Sequence, residues 1–585
     1  MLDHLITGAT VVDGTGAPSF RGDVGIRDGR IVAVGPAGSI TEEAASTEDA
    51  SGLVLAPGFI DPHTHYDAQL HWDGYATPSV NHGVTTIVGG NCGFTLAPIK
   101  AEDADYTRRM MAKVEGMALP ALENGIDWSW ETFAEFLGKL EGKIGVNAAF
   151  MAGHCAIRRY VMGADFGKEA TPEQVEAMVA ELKKAMEAGA IGFSTGRSNH
   201  TDGDGNPVPS RHASPEEVIA LCAEVGRHEG TQLEVIVAGC LDKFSDDEID
   251  LLTQMTVTAN RPMNWNVLTV DSADPDRVPR QIYASEKAAA AGGKIVILTL
   301  PVLVPMNMSL LTYCALNLLP GAWGEILSLP VPERIAKLRD PETRADLLRS
   351  ANSPEAGVFR RLVDFGRYVI GDTYSDANKG LSGRKVADIA AERGQEDFEA
   401  LVEICAADDL RTVLWPMPTD NDQASWDLRQ EVWESEHVIL GGSDAGAHLD
   451  RMCGATYTTR FLGDTLRGRK LVSLERAVQM LTSDPAKLFG LKERGRITEG
   501  FHADLVLFDP ETVNSANARM VNDLPGDSAR LTSESEGIVS VRVNGVETVR
   551  NGQVTGALAG SVLRSGKDTV TVTPDSVSFG PAIAK

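Results

Sequence analysis

Cysteine is scarce in this chain: seven among 585 residues, an odd number, thinly spread and without a CxxC pair. That pattern excludes a disulfide framework and fits a reducing compartment, so a cytoplasmic location is expected. No apolar run approaches the ~18 residues of a membrane span. No Lys/Arg-rich run stands out either, and the formal net charge is −28. An acidic surface repels phosphate backbones and anionic lipid, so neither nucleic acid nor membrane is an expected partner. The opening "MLDHLITGAT" lacks a basic segment followed by a long apolar one, and does not read as a secretory signal. Low-complexity segments are missing, as is any repeat beyond a strand–helix rhythm. What remains is ordinary: 43% apolar residues, ample for a large core, and 23% charged. A small molecule is the partner expected, and whether the chain forms a homo-oligomer is left open.

The two ends share a texture. "HLITGATVVDGTG" and "GDVGIRDGRIVAVG" read as strands, with hairpin signals at Asp13-Gly14 and Asp28-Gly29. Near the far end, "SVRVNGVETVRNGQVTG" carries another at Asn544-Gly545. Residues 1–56 and 490–585 are therefore expected to form one small β-sandwich domain. The middle, 57–489, alternates short apolar runs with helical stretches, the rhythm of βα units and a parallel sheet. Eight candidate strands are "VLAPGFIDPHTH", "GVTTIVGGNC", "VNAAFMAGH", "AIGFST", "QLEVIVAG", "PMNWNVLT", "KIVILTL" and "HVILGGSD". Eight units predict an α/β fold, a TIM-like (β/α)8 barrel whose active-site residues lie at the C-terminal strand ends. Between strands seven and eight lie about 135 residues, far beyond an ordinary loop, and 302–436 is expected to be an inserted lid-like subdomain.

The strand ends carry the chemistry. In "GFIDPHTHYD", His63 and His65 stand at i and i+2 and project from one face. Two imidazoles so placed make a bidentate start for Zn²⁺; the plain alternative is two histidines in a polar loop. Strand two ends at Cys92, a thiolate ligand or a buried structural thiol. Strand three ends at His154, with Arg158 beyond. Strand eight ends at Asp444, which can bind metal and take a proton from water, or can serve as a turn acid. Each residue alone is ambiguous, but four at parallel strand ends on one barrel face are much less so.

Together "PGFIDPHTHYDAQ", "GVTTIVGGNCGFTLAP", "GHCAIRRYVMG", "GFSTGRS" and "GGSDAG" resemble the amidohydrolase superfamily. Within it they are similar to the N-acyl-D-amino-acid deacylase (D-aminoacylase) branch, as a divergent, larger subgroup. The closing segments "GRITEGFHADLVLFDP" and "VRVNGVETVRNGQVTGALAGSVLR" agree. The resemblance implies a hydrolase of C–N amide bonds that uses one or two divalent ions, zinc foremost. It implies that His63, His65, Cys92 and Asp444 are metal-site residues, with Asp444 the general base and acid. The family's arginine for the substrate carboxylate maps, by its R-x-x-G spacing in "DRMCG", onto Arg451; bidentate Arg–carboxylate pairing suits that role, and a surface arginine is the alternative.

The chain departs from the family where strands five and six each supply a histidine. "QLEVIVAG" and "RPMNWNVLT" have none, and the usual lysine is missing. Glu234, in mid-strand five, is costly to bury unpaired and is expected to face the barrel mouth, towards a metal or a cation. Asn264 and Asn266 on strand six are expected to meet substrate or a metal-bound water, with capping as the alternative, and His154 on strand three is expected to meet substrate. A mononuclear site of His63, His65 and Asp444, completed by Cys92 or Glu234, is favoured over a binuclear one. His200 and His212, in the loop after strand four, are secondary candidates with plain loop residues as the alternative, and Asp67 reads as an acid at the rim or one step behind the ligands. The substrate expected is an N-acyl amino acid or a similar carboxylate-bearing amide. The alternatives are a cyclic amide such as a hydantoin, lactam or cyclic dipeptide, and a metal-free scaffold.

Overall fold

The computed structural model describes residues 1–312 and 314–580. The chain is mixed α/β and divides into two compact units. One comprises Met1–Val302, Ala424–Leu449 and Cys453–Lys585, and the other Leu303–Gln423 with Asp450–Met452.

In the larger unit both ends of the chain contribute to one nine-stranded sheet. Strand Leu2–Val11 pairs antiparallel with Phe20–Arg27, which pairs with Arg30–Pro36; from the far end, Leu505–Phe508 pairs antiparallel with Val54–Pro57 and with Ile538–Val543. The two-residue turns follow the sequence. Asp28 and Gly29 have φ of 51° and 72°, and Asn544 and Gly545 have 48° and 82°. Two positive φ angles in a row are what a tight hairpin matching strand twist requires. Ile6, Val11, Val24, Ile31, Leu505 and Leu507 form the core of this layer.

The first candidate strand divides. Its Val54–Pro57 half belongs to the terminal sheet, and β1 (Phe59–Asp61) starts a second, parallel layer. That layer continues with β2 (Val84–Gly89), β3 (Asn147–Phe150), β4 (Gly192–Arg197), β5 (Gln232–Val237), β6 (Met263–Leu268), β7 (Ile295–Thr299) and β8 (Val438–Leu440). Almost every residue in these strands is buried, as expected where helices cover a parallel sheet. The helix Pro172–Ala188 before β4 begins at Thr171 with a capping box to Gln174 and stops at Gly189, φ 107°. Pairing resolves into two sheets. β1, β2 and β3 run in order, and β4 to β8 run in order after the two-residue strand Ala152–Gly153. The break has a local cause. Val562–Leu563, returning from the C-terminal region, pairs parallel with Ala148 and Ala149 of β3, so β4 pairs only with the continuation at Ala152–Gly153. Beyond the ends of β1 and β8, Thr64 and Ala445 form a parallel bridge.

The smaller unit is mainly helical. Val331–Arg339, Pro341–Ala351, Val386–Arg393 and Asp397–Ala407 surround a core that includes Leu338, Leu347, Ile389 and Leu401. Phe365 and Phe398 stack in it with ring centroids 4.4 Å apart. Among the described residues no helix is long and apolar enough to cross a membrane.

Candidate metal centre

The chain after β1 is pinned on both sides. The Thr64 amide and hydroxyl both donate to Val88 O, at 2.9 and 2.8 Å, and the His65 amide donates to Ala445 O at 2.7 Å. Extended pairing on both edges sends His63 and His65 to the same side, their rings 5.3 Å apart. Asp444 comes from the segment after β8. Its Oδ1 lies 3.2 Å from His63 Nε2 and 3.8 Å from His65 Nε2. Cys92 follows β2, with Sγ 3.5 Å from His63 Nε2. Glu234, on β5, accepts from the Cys92 amide at 2.7 Å through Oε2, and its Oε1 is 4.0 Å from both Cys92 Sγ and His63 Nδ1. Thus His63, His65, Cys92, Glu234 and Asp444 converge at one end of the parallel strands.

Two of these residues hold strained backbone. Cys92 and Asp444 have φ of 57° and 52°, a region costing non-glycine residues of order 1–2 kcal/mol. The Cys92 turn is braced from several sides. Asn91 Nδ2 donates to Thr64 O and Val88 O, Ser194 bridges Gly93 N and Gly90 O, and the Gly90 amide donates to Asp67. A Cβ on Gly90 would fall 2.3 Å from Met151 O, so the turn requires glycine there. Asp67, 1% exposed, is therefore a buried support of this turn, the second of its two expected places, and does not lie at the rim. On the Asp444 side, Asn266 Nδ2 donates to Asp444 Oδ1 at 2.8 Å, and Ser443 Oγ donates to Asp61 Oδ2 at 2.5 Å.

Charge at the site is lopsided. Burial raises the Glu234 carboxyl to about 7 and the Asp61 carboxyl to about 7. Burial pushes the Cys92 thiol well up, assisted by the charges of Glu234, Glu115 and Asp444. It also brings His65 down to about 3, so that imidazole is neutral. Burial would lower His63 too, but the hydrogen bond and charge of Asp444 outweigh it and raise that ring. In return, burial of Asp444 is outweighed by His63, and its carboxyl falls to about 2. The acids thus favour positive charge on His63, that is, its protonated form.

A divalent cation would supply that charge in the proton's place, and the donor spacing fits one. With metal–nitrogen bonds of about 2.1 Å and metal–sulfur bonds of about 2.3 Å, the edges of a tetrahedral site are about 3.4–3.6 Å. The His63–Cys92, His63–Asp444 and His65–Asp444 separations of 3.5, 3.2 and 3.8 Å lie close to that. Nitrogen and sulfur atoms of His63, His65 and Cys92 can be chosen that all lie within 4.8 Å of one another.

The remaining expected residues have the following partners. His154 is fully buried, Nδ1 bonded to Thr195 and Nε2 to Glu217, each at 2.8 Å, so neither ring nitrogen is left for a substrate. Arg158 pairs with the same Glu217. Asn264 Nδ2 donates to Leu233 O, while its buried Oδ1 has no hydrogen-bond partner among the described residues. Arg451 belongs to the smaller unit, where it contacts Asp450 at 2.9 Å and its carbonyl accepts from Asn307. His200 bonds Ser198 through Nδ1 and meets the edge of Phe94. His212 lies edge-on to Phe166. Three buried residues beside the cluster escaped the sequence reading: Asp61, Ser443 and Glu115, whose Oε1 is 3.5 Å from His65 Nδ1. Asp61 could have been found, since it stands two residues before His63.

The amidohydrolase family profile matches residues 46–555. D-aminoacylase of Alcaligenes xylosoxydans xylosoxydans is 30% identical over 572 residues, covering 96% of this chain and 97% of its own. A solved D-aminoacylase structure, described with a binuclear metal centre, superposes with a TM-score of 0.62 at 29% identity, covering 96% of this chain and all of that one. N-acyl-D-glutamate deacylase from Bordetella bronchiseptica, solved with zinc and a phosphonate mimic of the tetrahedral intermediate, gives 0.63 at 25% identity, again over 96% and 100% of the two chains. By family match and by full-length relatedness, the chain belongs to the amidohydrolase family.

Proposed function

We propose that this protein is a metal-dependent hydrolase of a small amide, with an N-acyl D-amino acid as the substrate class. The observation that carries the reading is the convergence of His63, His65, Cys92 and Asp444 at spacings that suit one divalent ion. The substrate class rests on the relatives, which are named for deacylation of N-acyl-D-amino acids, and one of which was solved with zinc. On this reading the two parallel sheets are parts of one eight-stranded barrel, drawn together by the Thr64–Ala445 bridge.

When bound, a zinc ion would polarise the scissile carbonyl and acidify water. The chain's own residues do the rest. His63, His65 and Cys92 would hold the ion, and Glu234, fixed by the Cys92 amide, would complete or buffer the site. Asp444 turns Oδ1 to the histidines and Asn266, leaving Oδ2 to accept a proton from the attacking water and return it to the departing nitrogen. Asn266 holds that carboxylate in register.

A substrate panel tests the reading. Zinc-loaded protein is assayed against N-acetyl-D- and N-acetyl-L-amino acids, hydantoins, lactams and cyclic dipeptides. Turnover of N-acyl-D-amino acids, lost with chelator and restored by Zn²⁺, is expected. Turnover confined to the cyclic amides would replace the substrate class and keep the site.

A further inference from the structure

Each histidine of the pair has a buried carboxylate near its Nδ1. His63 Nδ1 lies 4.0 Å from Glu234 Oε1, and His65 Nδ1 lies 3.5 Å from Glu115 Oε1. Among the described residues neither Nδ1 has a hydrogen-bond partner. Both Nε2 atoms face the opposite way, towards Asp444.

Glu115 reaches this place from outside the strands. It is the C-cap of α1 (Ala104–Val114), donating its amide to Met111 O, and it is 3% exposed. A carboxylate at a helix C-terminus opposes the helix dipole, and burying it costs more again. The buried residues of α1 are Tyr106, Thr107, Met110, Met111 and Val114. Two contacts of Glu115 lie at the site. Its side chain meets the His65 ring, and its carbonyl accepts from the His448 amide in the segment that carries Asp444. The His65 amide is itself bonded to Ala445 of that segment.

An imidazole that binds metal through one nitrogen commonly donates its other N–H to a carboxylate, which fixes tautomer and ring orientation and makes the ligand more basic. We infer that Glu115 is the positioning residue of His65: its carboxylate holds the proton on Nδ1 and points the Nε2 lone pair at the site bounded by Asp444 and His63. Glu115 itself contacts neither substrate nor ion. The inference rests on the single-ion reading above.

The test is zinc affinity of the full-length chain after stripping, measured by competition with a chromophoric chelator. Parent, Glu115→Gln and Glu115→Ala are compared, with melting of each stripped protein recorded. Glu115→Ala is expected to weaken zinc about 10–100-fold, the usual cost of losing such a partner, and Glu115→Gln, which keeps an acceptor oxygen, by clearly less. Zinc affinity of Glu115→Ala within about threefold of the parent would overturn the inference, as would equal losses in both variants. Should Glu115→Ala not fold, the zinc-loaded parent decides. Nitrogen-15 spectra of its histidines, with His65 assigned through His65→Gln, are expected to show the Nδ1–H tautomer, and an Nε2–H tautomer would overturn the inference. A parent that binds no zinc would bring down the metal reading itself, a result distinct from a zinc-binding parent with an indifferent Glu115→Ala.

Discussion

Asn266 donates from Nδ2 to Oδ1 of Asp444 at 2.8 Å, and the same oxygen lies 3.2 Å from His63 Nε2. One asparagine on β6, where related enzymes were expected to place a histidine, thus sets the attitude of the proposed proton carrier. Removing a hydrogen bond to a charged group costs about 1.5–3 kcal/mol, or roughly 10–100-fold in rate if it is needed in the transition state. Asn266→Ala is expected to lower kcat/KM by that much with zinc content unchanged, measured by steady-state kinetics and metal analysis.

Asp444→Asn should be more severe. The amide cannot accept the proton, and a loss of about 10²–10⁴-fold in kcat is expected with the fold intact. Near-parent turnover in this variant would remove Asp444 from the chemistry.

Gly442 has φ of 80°, and a Cβ there would lie 2.0 Å from Asn266 Oδ1. Gly442→Ala should therefore imitate Asn266→Ala from a residue that touches no substrate. A tenfold or greater fall in kcat/KM is expected, together with about 1–2 kcal/mol of lost stability from the left-handed backbone. Unchanged kinetics would show that Asn266 does not govern Asp444.

How far the sequence led depended on how local the signal was. His63 and His65 were legible because strand spacing fixes their shared side, and Cys92 and Asp444 because the strand ends were legible. Glu234 stood out as an acid inside an apolar strand. Glu115 had no such mark: in "AKVEGMALP" it is one more charge at a helix end, and its meaning comes from His65, fifty residues earlier. His154 sits at a strand end as expected, yet it also opens the helix His154–Met162, which carries it into the core against Glu217. The pairing of Val562–Leu563 with β3 was invisible, because two residues have no periodicity and their partner is some four hundred positions away.

Acid should weaken the terminal sheet at a known point. Glu48 lies between His4, Arg542 and Arg550, and those contacts, His4 first, hold its carboxyl down at about 2 from 4.5. A folded-state value below the unfolded one stabilises above pH 4.5, and that contribution is lost as pH falls from about 4.5 towards 2. Allowing for solvent screening, about 1–2 kcal/mol is at stake. Glu48→Gln should lower stability to urea by that amount at pH 7 and by much less near pH 2. An equal deficit at both pH values would contradict this.

One divalent ion is proposed to sit where the two histidines, the cysteine and Asp444 meet. Anomalous diffraction at the zinc edge from crystals of zinc-loaded protein tests it directly. A single strong peak about 2.0–2.3 Å from His63 Nε2, His65 Nε2 and Cys92 Sγ is expected, with Asp444 at its edge. No peak there, or a peak bound by other residues, would contradict it.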